Sequence, residues 1–356
     1  MAVEFWTMGG GRPGGPHSTG QSGADQAVRA EQIGYDGIVY VDSQNLVGDC
    51  YIAMAMAARA TSTIQLGTGV TNSYTRHAAV TASAIATVQS ESGGRAHLGI
   101  GRGDSALAHL GQAPHGVAAF EHYLRDLQGY LRGEEVPFEA GGDVDALALA
   151  EQPTSSRLSW LDPNLPKVPV DVAATGPRVI AAAARHADRV SFNVGADVER
   201  VRWGMDLARA ARQEAGLSPE ISFAVYLTLV THDDPEEAMR IGAGQVSLFA
   251  RFSSMYGTVV GPASERQREV FQGIHDAYDM RQHGRLGSPQ ESAVTPEFMR
   301  EFGVFGSPAY CVDRLGSLIE LGVDRFILRG TPLNPANPDS ATAERFVQEV
   351  ASALQN

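Results

Sequence analysis

The run IELGVDRFILR, residues 319–329, leaves a helix through Gly322, turns at Asp324 and enters a stretch of apolar residues. The same order occurs twice more, as EQIGYDGIVYV (31–41) and ARHADRVSFNV (184–194). In each, a small residue ends a helix, an Asp follows and a buried strand begins. In two of the three, a glycine is available for the left-handed residue that stops a helix. Repetition of one helix-to-strand connection is what a closed ring of βα units requires.

Working outward, eight short apolar runs rich in β-branched residues read as strands: 3–8, 37–42, 64–70, 96–101, 168–174, 189–194, 221–230 and 324–329. Most are nearly continuous in apolarity rather than alternating, as expected for strands covered on both faces of a parallel sheet. Helical spacing lies between them, for example Phe120, Tyr123, Leu124, Leu127, Tyr130 and Leu131, and then Val312, Leu315, Leu318 and Ile319. The expected fold is an α/β (β/α)8 TIM barrel; a doubly wound open sheet is the alternative. Residues 1–356 read as a single domain with two long insertions, about 133–167 after the fourth strand and 248–305 after the seventh, both expected above the C-terminal face as lids and substrate walls.

The chain has 356 residues, is 43% hydrophobic and carries a net charge of −13. That charge argues against nucleic acid or an anionic membrane surface as a partner, since long-range attraction is lacking. Cys50 and Cys311 stand far apart and outside any CxxC pattern, so neither a metal site nor a disulfide framework is expected and a reducing cytoplasm is the simplest setting. There is no leader-like start and no run long enough to span a membrane.

Two glycine-bearing stretches carry chemistry. LGIGRGDSAL (98–107) is neither the GxGxxG dinucleotide fingerprint nor a Walker loop. Gly99, Gly101 and Gly103 read either as relief for strand packing or as part of a site, and Arg102, Gly103 and Asp104 fall at the C-terminal end of the fourth strand, where barrel sites form. In ATGPRVIAAAA (174–184) a strand ends at Ala174, Thr175 and Gly176 turn, and Pro177 pre-sets the first helical φ. The free amides of such a helix start, with Arg178 beside them, read as a phosphate cradle or as an ordinary Pro-initiated helix. Asp42 closes the second strand and Asp104 the fourth, so both carboxylates face one mouth.

IQLGTGVTNSYTRHAAVTASAIATVQSESGGRAHLGIGRGDSAL (64–107) resembles the third strand, third helix and fourth strand of the bacterial-luciferase-like flavin oxidoreductases, and within them methylenetetrahydromethanopterin reductase and the deazaflavin-dependent dehydrogenases. The resemblance implies a flavin or deazaflavin across the strand ends, and a cis peptide between Gly69 and Val70 forming a bulge behind the ring. It implies Thr71 and Asn72 at the ring edge, with a polar turn and helix cap as the plain alternative, and the cofactor phosphate at residues 174–178. Asp42, Gly103 and Asp104 complete the implied cofactor set. The position matching Asp104 is an acid in related sugar-phosphate dehydrogenases, which makes Asp104 the candidate catalytic residue, with helix capping as its alternative role. The position matching their histidine base is Ser43, which counts against alcohol oxidation.

The loop after the first strand, MGGGRPGGPHSTG (8–20), holds Arg12 and His17 beside the expected mouth; His275, Tyr278 and His283 in the late insertion are further candidates, and Trp6 reads as core. The functional expectation is hydride transfer between coenzyme F420 and a small organic substrate. An FMN-dependent monooxygenase, served by a flavin reductase partner, is the second expectation, and a non-catalytic flavin-binding protein the third. A homodimer is what such relatives imply.

Overall fold

Eight parallel strands form the frame: β1 (Glu4–Gly9), β2 (Gly37–Tyr40), β3 (Gln65–Thr68), β4 (Ala96–Gly101), β5 (Val170–Ala174), β6 (Arg189–Phe192), β7 (Ser222–Thr231) and β8 (Arg325–Arg329). The computed structural model describes residues 3–9, 19–138, 148, 150–283, 285 and 287–355. Neighbours pair in chain order, with Thr7 opposite Ile38, Ile38 opposite Leu66, Leu66 opposite Ala96, Ile100 opposite Val172 and Val172 opposite Val190. Val190 then faces Phe223, Tyr226 faces Ile327, and Trp6 faces Ile327 from the other side. The ring therefore closes, which excludes the open sheet and leaves the (β/α)8 barrel.

The repeated helix-to-strand connection has a physical basis. Gly34 and Gly322 take φ of 103° and 106°, the left-handed region that glycine enters without a Cβ penalty, while Ala187 leaves its helix extended at φ −98°. The Asp after each turn then ties down a neighbouring element. Asp36 Oδ2 accepts from the Phe5 amide at 2.7 Å, and Asp188 Oδ2 from the Val170 amide at 2.8 Å. Asp324 instead accepts from Arg189 Nε at 3.1 Å.

Strand alternation sorts the core into two. Phe5, Ile38, Leu66, Leu98, Val172, Val190, Val225 and Phe326 pack outward against helices. Trp6, Val39, Tyr226 and Ile327 fill the interior, where a Cβ on Gly37 would lie 2.2 Å from the Trp6 ring. Trp6 is thus core, as its sequence position suggested. Below it lies an ionic layer: Arg325 donates to Glu4 Oε2 at 2.6 Å and to Asp171 Oδ2 at 2.7 Å, with its guanidinium 4.1 Å over the Trp6 ring. Arg189 stands 3.6 Å from Asp171 and 3.1 Å from Asp324.

The insertions separate by the connection they interrupt. Residues 133–167 join the helix α4 (Val117–Leu131) to β5, and helix-to-strand connections lie at the N-terminal face. Their described part forms a two-stranded pairing of Val136–Pro137 with Ser155–Ser156, and Pro166 accepts from Gln89 Nε2 at 2.9 Å. None of the described residues of this insertion lines the mouth cavity, so its expected role as a lid is corrected. Residues 248–305 join β7 to a helix, and such a connection lies over the mouth. Helices Val246–Ala250, Glu265–Ala277 and Pro296–Phe302 pack there around Phe271, Phe298 and Phe302, and Val304–Gly306 returns as a short strand beside β7.

Candidate functional site

The mouth is shaped by a one-residue bulge between β3 and β4. Gly67 pairs with His97 and Thr71 with Ile100, so four steps on one side answer three on the other. The Gly69–Val70 peptide inside this bulge is cis, as the resemblance implied. The alternate glycines of LGIGRG are its complement. A Cβ on Gly99 would lie 2.1 Å from Thr68 O, and one on Gly69 2.4 Å from Val39 Cγ2. Gly101 leaves room for Val70, and Gly103 turns the chain at φ 79°.

In front of the bulge is a cavity of about 340 Å³, within the range of small-molecule sites. Asp42, Gly69, Val70, Thr71, Asn72, Gly103, Asp104, Ala174, Thr175 and Gly176 all line it. Pro177 and Arg178 are exposed and do not. The late insertion roofs the cavity with Leu248, Phe249, Phe252, Met255 and Tyr256.

Asp42 is committed to structure. Its buried carboxylate accepts from Thr71 Oγ1 at 2.6 Å and Arg76 Nη1 at 2.5 Å, and Arg76 also reaches Asp49 at 3.0 Å. Asn72 is divided. Its Oδ1 accepts from the Tyr74 and Thr75 amides at 3.0 and 2.9 Å, which is the polar turn foreseen, while Nδ2 is buried without an acceptor.

Asp104 does not cap the helix that follows it. Arg251 Nη2, from the late insertion, stands 2.7 Å from both of its oxygens, donating to Oδ1 and forming an ion pair with the carboxylate. Burial pushes this carboxyl above its ordinary range, against the opposing pull of Arg251.

At the other end, helix α5 (Pro177–His186) starts at Gly176, which has no side-chain cap and open space where a Cβ would stand. Arg102 lines the cavity at the end of β4, next to β5, and its Nε donates to His115 O. Ser43 is buried and lines the cavity.

Among the weaker candidates, His283 lines the cavity and is paired with the Tyr278 hydroxyl at 2.7 Å; burial and nearby Arg251 push its imidazole down to about 3. Tyr278 lies 4.3 Å beneath the Arg251 guanidinium. His275 pairs with its neighbour Asp276 away from the cavity. Arg12 and His17 lie outside the described residues. Sequence reasoning missed Arg76, Arg251 and Arg329. Arg251 meets Asp104 across 147 positions and leaves no local signal. Arg329 could have been found from β8, where Arg325, Ile327 and Arg329 share the inward face.

Comparison with known proteins extends the picture. A family model described as luciferase-like monooxygenase matches residues 1–325. The 5,10-methylenetetrahydromethanopterin reductase of Methanolobus tindarius is 28% identical over 322 residues, covering 88% of this chain and 90% of that protein. The coenzyme F420 dependent tetrahydromethanopterin reductase of Methanopyrus kandleri superposes with a TM-score of 0.72 at 22% identity, over 99% of this chain and 100% of that one. An FMN-bound type II Baeyer–Villiger monooxygenase of Pseudomonas putida superposes with a TM-score of 0.67 at 19% identity, over 99% and 98%.

Proposed function

The chain belongs to the luciferase-like monooxygenase family, and from that premise we propose that it is an oxidoreductase using the deazaflavin coenzyme F420 to transfer hydride to or from a small organic substrate. The observation that carries the reading is the buried Asn72 Nδ2, a donor left without an acceptor beside the Val70 bulge. An unpaired buried amide is costly, by about 1–3 kcal/mol, so a ligand acceptor belongs there. When bound, the deazaflavin supplies two-electron hydride chemistry. The similarity to a reductase from Methanolobus tindarius supports it over the FMN alternative.

The residues divide the work. Val70 would stand behind a bound ring, and Asn72 Nδ2 would offer it a hydrogen bond. Thr71, fixed by Asp42, holds the rim. The start of α5 at Gly176, with Arg102 at the end of the neighbouring strand, would take the phosphate, since a helix start favours an anion. Asp104, its carboxyl raised by burial and set against Arg251, would hold or release the proton. Leu248, Phe249 and Phe252 exclude water from above. Ser43 offers no base of its own, which favours reduction of a substrate double bond over oxidation of an alcohol.

Titration of the purified protein with F420 and with FMN tests this. Tight F420 binding without oxygen uptake is expected; FMN binding with NADH-coupled oxygen uptake, requiring a flavin reductase partner, would replace it. Exposed Ile52, Met56 and Val80 on the adjoining helices α2 (Cys50–Ala60) and α3 (Ala78–Ser92) support a homodimer, which sedimentation measures. No helix among the described residues is long and apolar enough to cross a membrane, and the buried free thiols Cys50 and Cys311 fit a cytoplasmic setting.

A further inference from the structure

Among the described residues two arginines that line the cavity, Arg102 and Arg329, meet no carboxylate, and Arg329 lies on the side away from the start of α5. Arg325 and Arg329 lie four residues apart on the inward face of β8. Arg325 is held by two carboxylates, whereas among the described residues Arg329 meets none and is bonded only through Nε to Gln245 Oε1. Arg329 lines the cavity, within electrostatic reach of His283 and Tyr278. Arginine cannot shed its proton to escape burial. Burial pulls it down only to about 10, so it remains charged at neutral pH.

We propose that Arg329 is the subsite for an oxyanion, a carboxylate or equivalent, on the substrate, which is therefore an organic acid with an apolar body. The cofactor is the competing source of an anion, and the barrel's geometry separates the two. β4 and β5, which carry Arg102 and Gly176, stand across the eight-stranded ring from β8, so a phosphate held at Gly176 leaves Arg329 unpaired. The cavity also carries apolar lining, Met8, Leu248, Phe249 and Phe252, which suits a hydrocarbon or ring body rather than a sugar. Planar bidentate pairing suits guanidinium to carboxylate. Arg251 does not fill the same role, because it is already engaged by Asp104 at 2.7 Å and packed over Tyr278. The assignment rests on the proposed function only in placing substrate and cofactor at one mouth; oxyanion binding itself needs no cofactor.

Calorimetric titration of the full chain with benzoate and its neutral counterpart benzamide, with and without F420, tests it. Wild type should bind benzoate at least tenfold more tightly than benzamide in both states, and Arg329→Gln should abolish that preference while changing F420 affinity less than threefold. Arg329→Lys, keeping the charge, should retain part of the preference and guards against misfolding as an explanation. Equal affinity for the two probes in wild type, or a benzoate preference surviving in Arg329→Gln, overturns the proposal. A tenfold loss of F420 affinity in Arg329→Gln assigns the oxyanion to the cofactor and overturns it as a substrate subsite. If F420 fails to bind wild type while the benzoate preference holds, the cofactor reading falls and the subsite stands.

Discussion

The two ends of the barrel handle charge in opposite ways. At the N-terminal end Glu4, Asp171, Arg189, Asp324 and Arg325 form a connected layer in which each guanidinium meets two carboxylates within 3.6 Å. At the C-terminal mouth the groups are short of partners: Asn72 Nδ2 and Arg251 Nη1 are buried and unbonded, and among the described residues Arg329 lacks a carboxylate. Both ends are covered, so exposure does not explain the contrast. Unbonded atoms occur at both ends, since Asp171 Oδ1 and His97 Nδ1 are also buried without a hydrogen bond; the difference lies in the cations, doubly paired with carboxylates in the structural layer and left short of them at the mouth, where a site must keep groups for what it binds.

Breaking the closed end should produce the largest effect. Arg325→Met leaves Glu4 and Asp171 without their shared cation, and loss of one partner in a buried ion network costs about 3–5 kcal/mol. Chemical denaturation should show it, while Arg329→Gln, two turns of the pleat away, should unfold close to wild type. Equal destabilisation by the two changes would erase the distinction.

Overfilling the interior comes next. Gly37→Ala puts a methyl 2.2 Å from the Trp6 ring, and overpacking of this kind costs about 1–3 kcal/mol. A melting temperature within a degree of wild type would show that the interior is looser than its distances.

At the open end, Asp104→Asn should lower kcat by tenfold or more, in line with the ~10²–10⁴-fold contribution of a positioned acid, while F420 affinity changes less than threefold. An unchanged rate removes Asp104 from proton transfer and leaves it as the anchor of Arg251.

The smallest effect is a slope. His283 has its pKa lowered to about 3 from 6.5, so the unfolded chain binds more protons than the folded one between those values. Its contribution is complete above pH 6.5 and is lost progressively as pH falls toward 3. His283→Gln should therefore flatten the rise of stability with pH across that window; an unchanged slope would show that His283 is more solvated than its Tyr278 pairing indicates.

The barrel was legible because strand burial and the Gly–x–Asp turn are written locally: Gly34 and Gly322 turn as glycine must, and the apolar runs could pair only inside a closed sheet. The bulge was legible only through the resemblance, since nothing in GTGV by itself requires an extra residue. The first insertion was misplaced because its length was weighed and its direction, helix to strand, was not. Arg251 could not be read, because its partner lies across the mouth and no periodicity links them. Arg329 was written in the pattern, one inward position beyond Arg325, but a strand's last cation looks the same in sequence whether it is paired or free.

The most direct measurement is a crystal structure of the protein with F420 bound. The account predicts the deazaflavin ring against Val70, with an acceptor on Asn72 Nδ2 and the phosphate at the start of α5 beside Gly176. A ring seated elsewhere, or a phosphate held at Arg329, would contradict it.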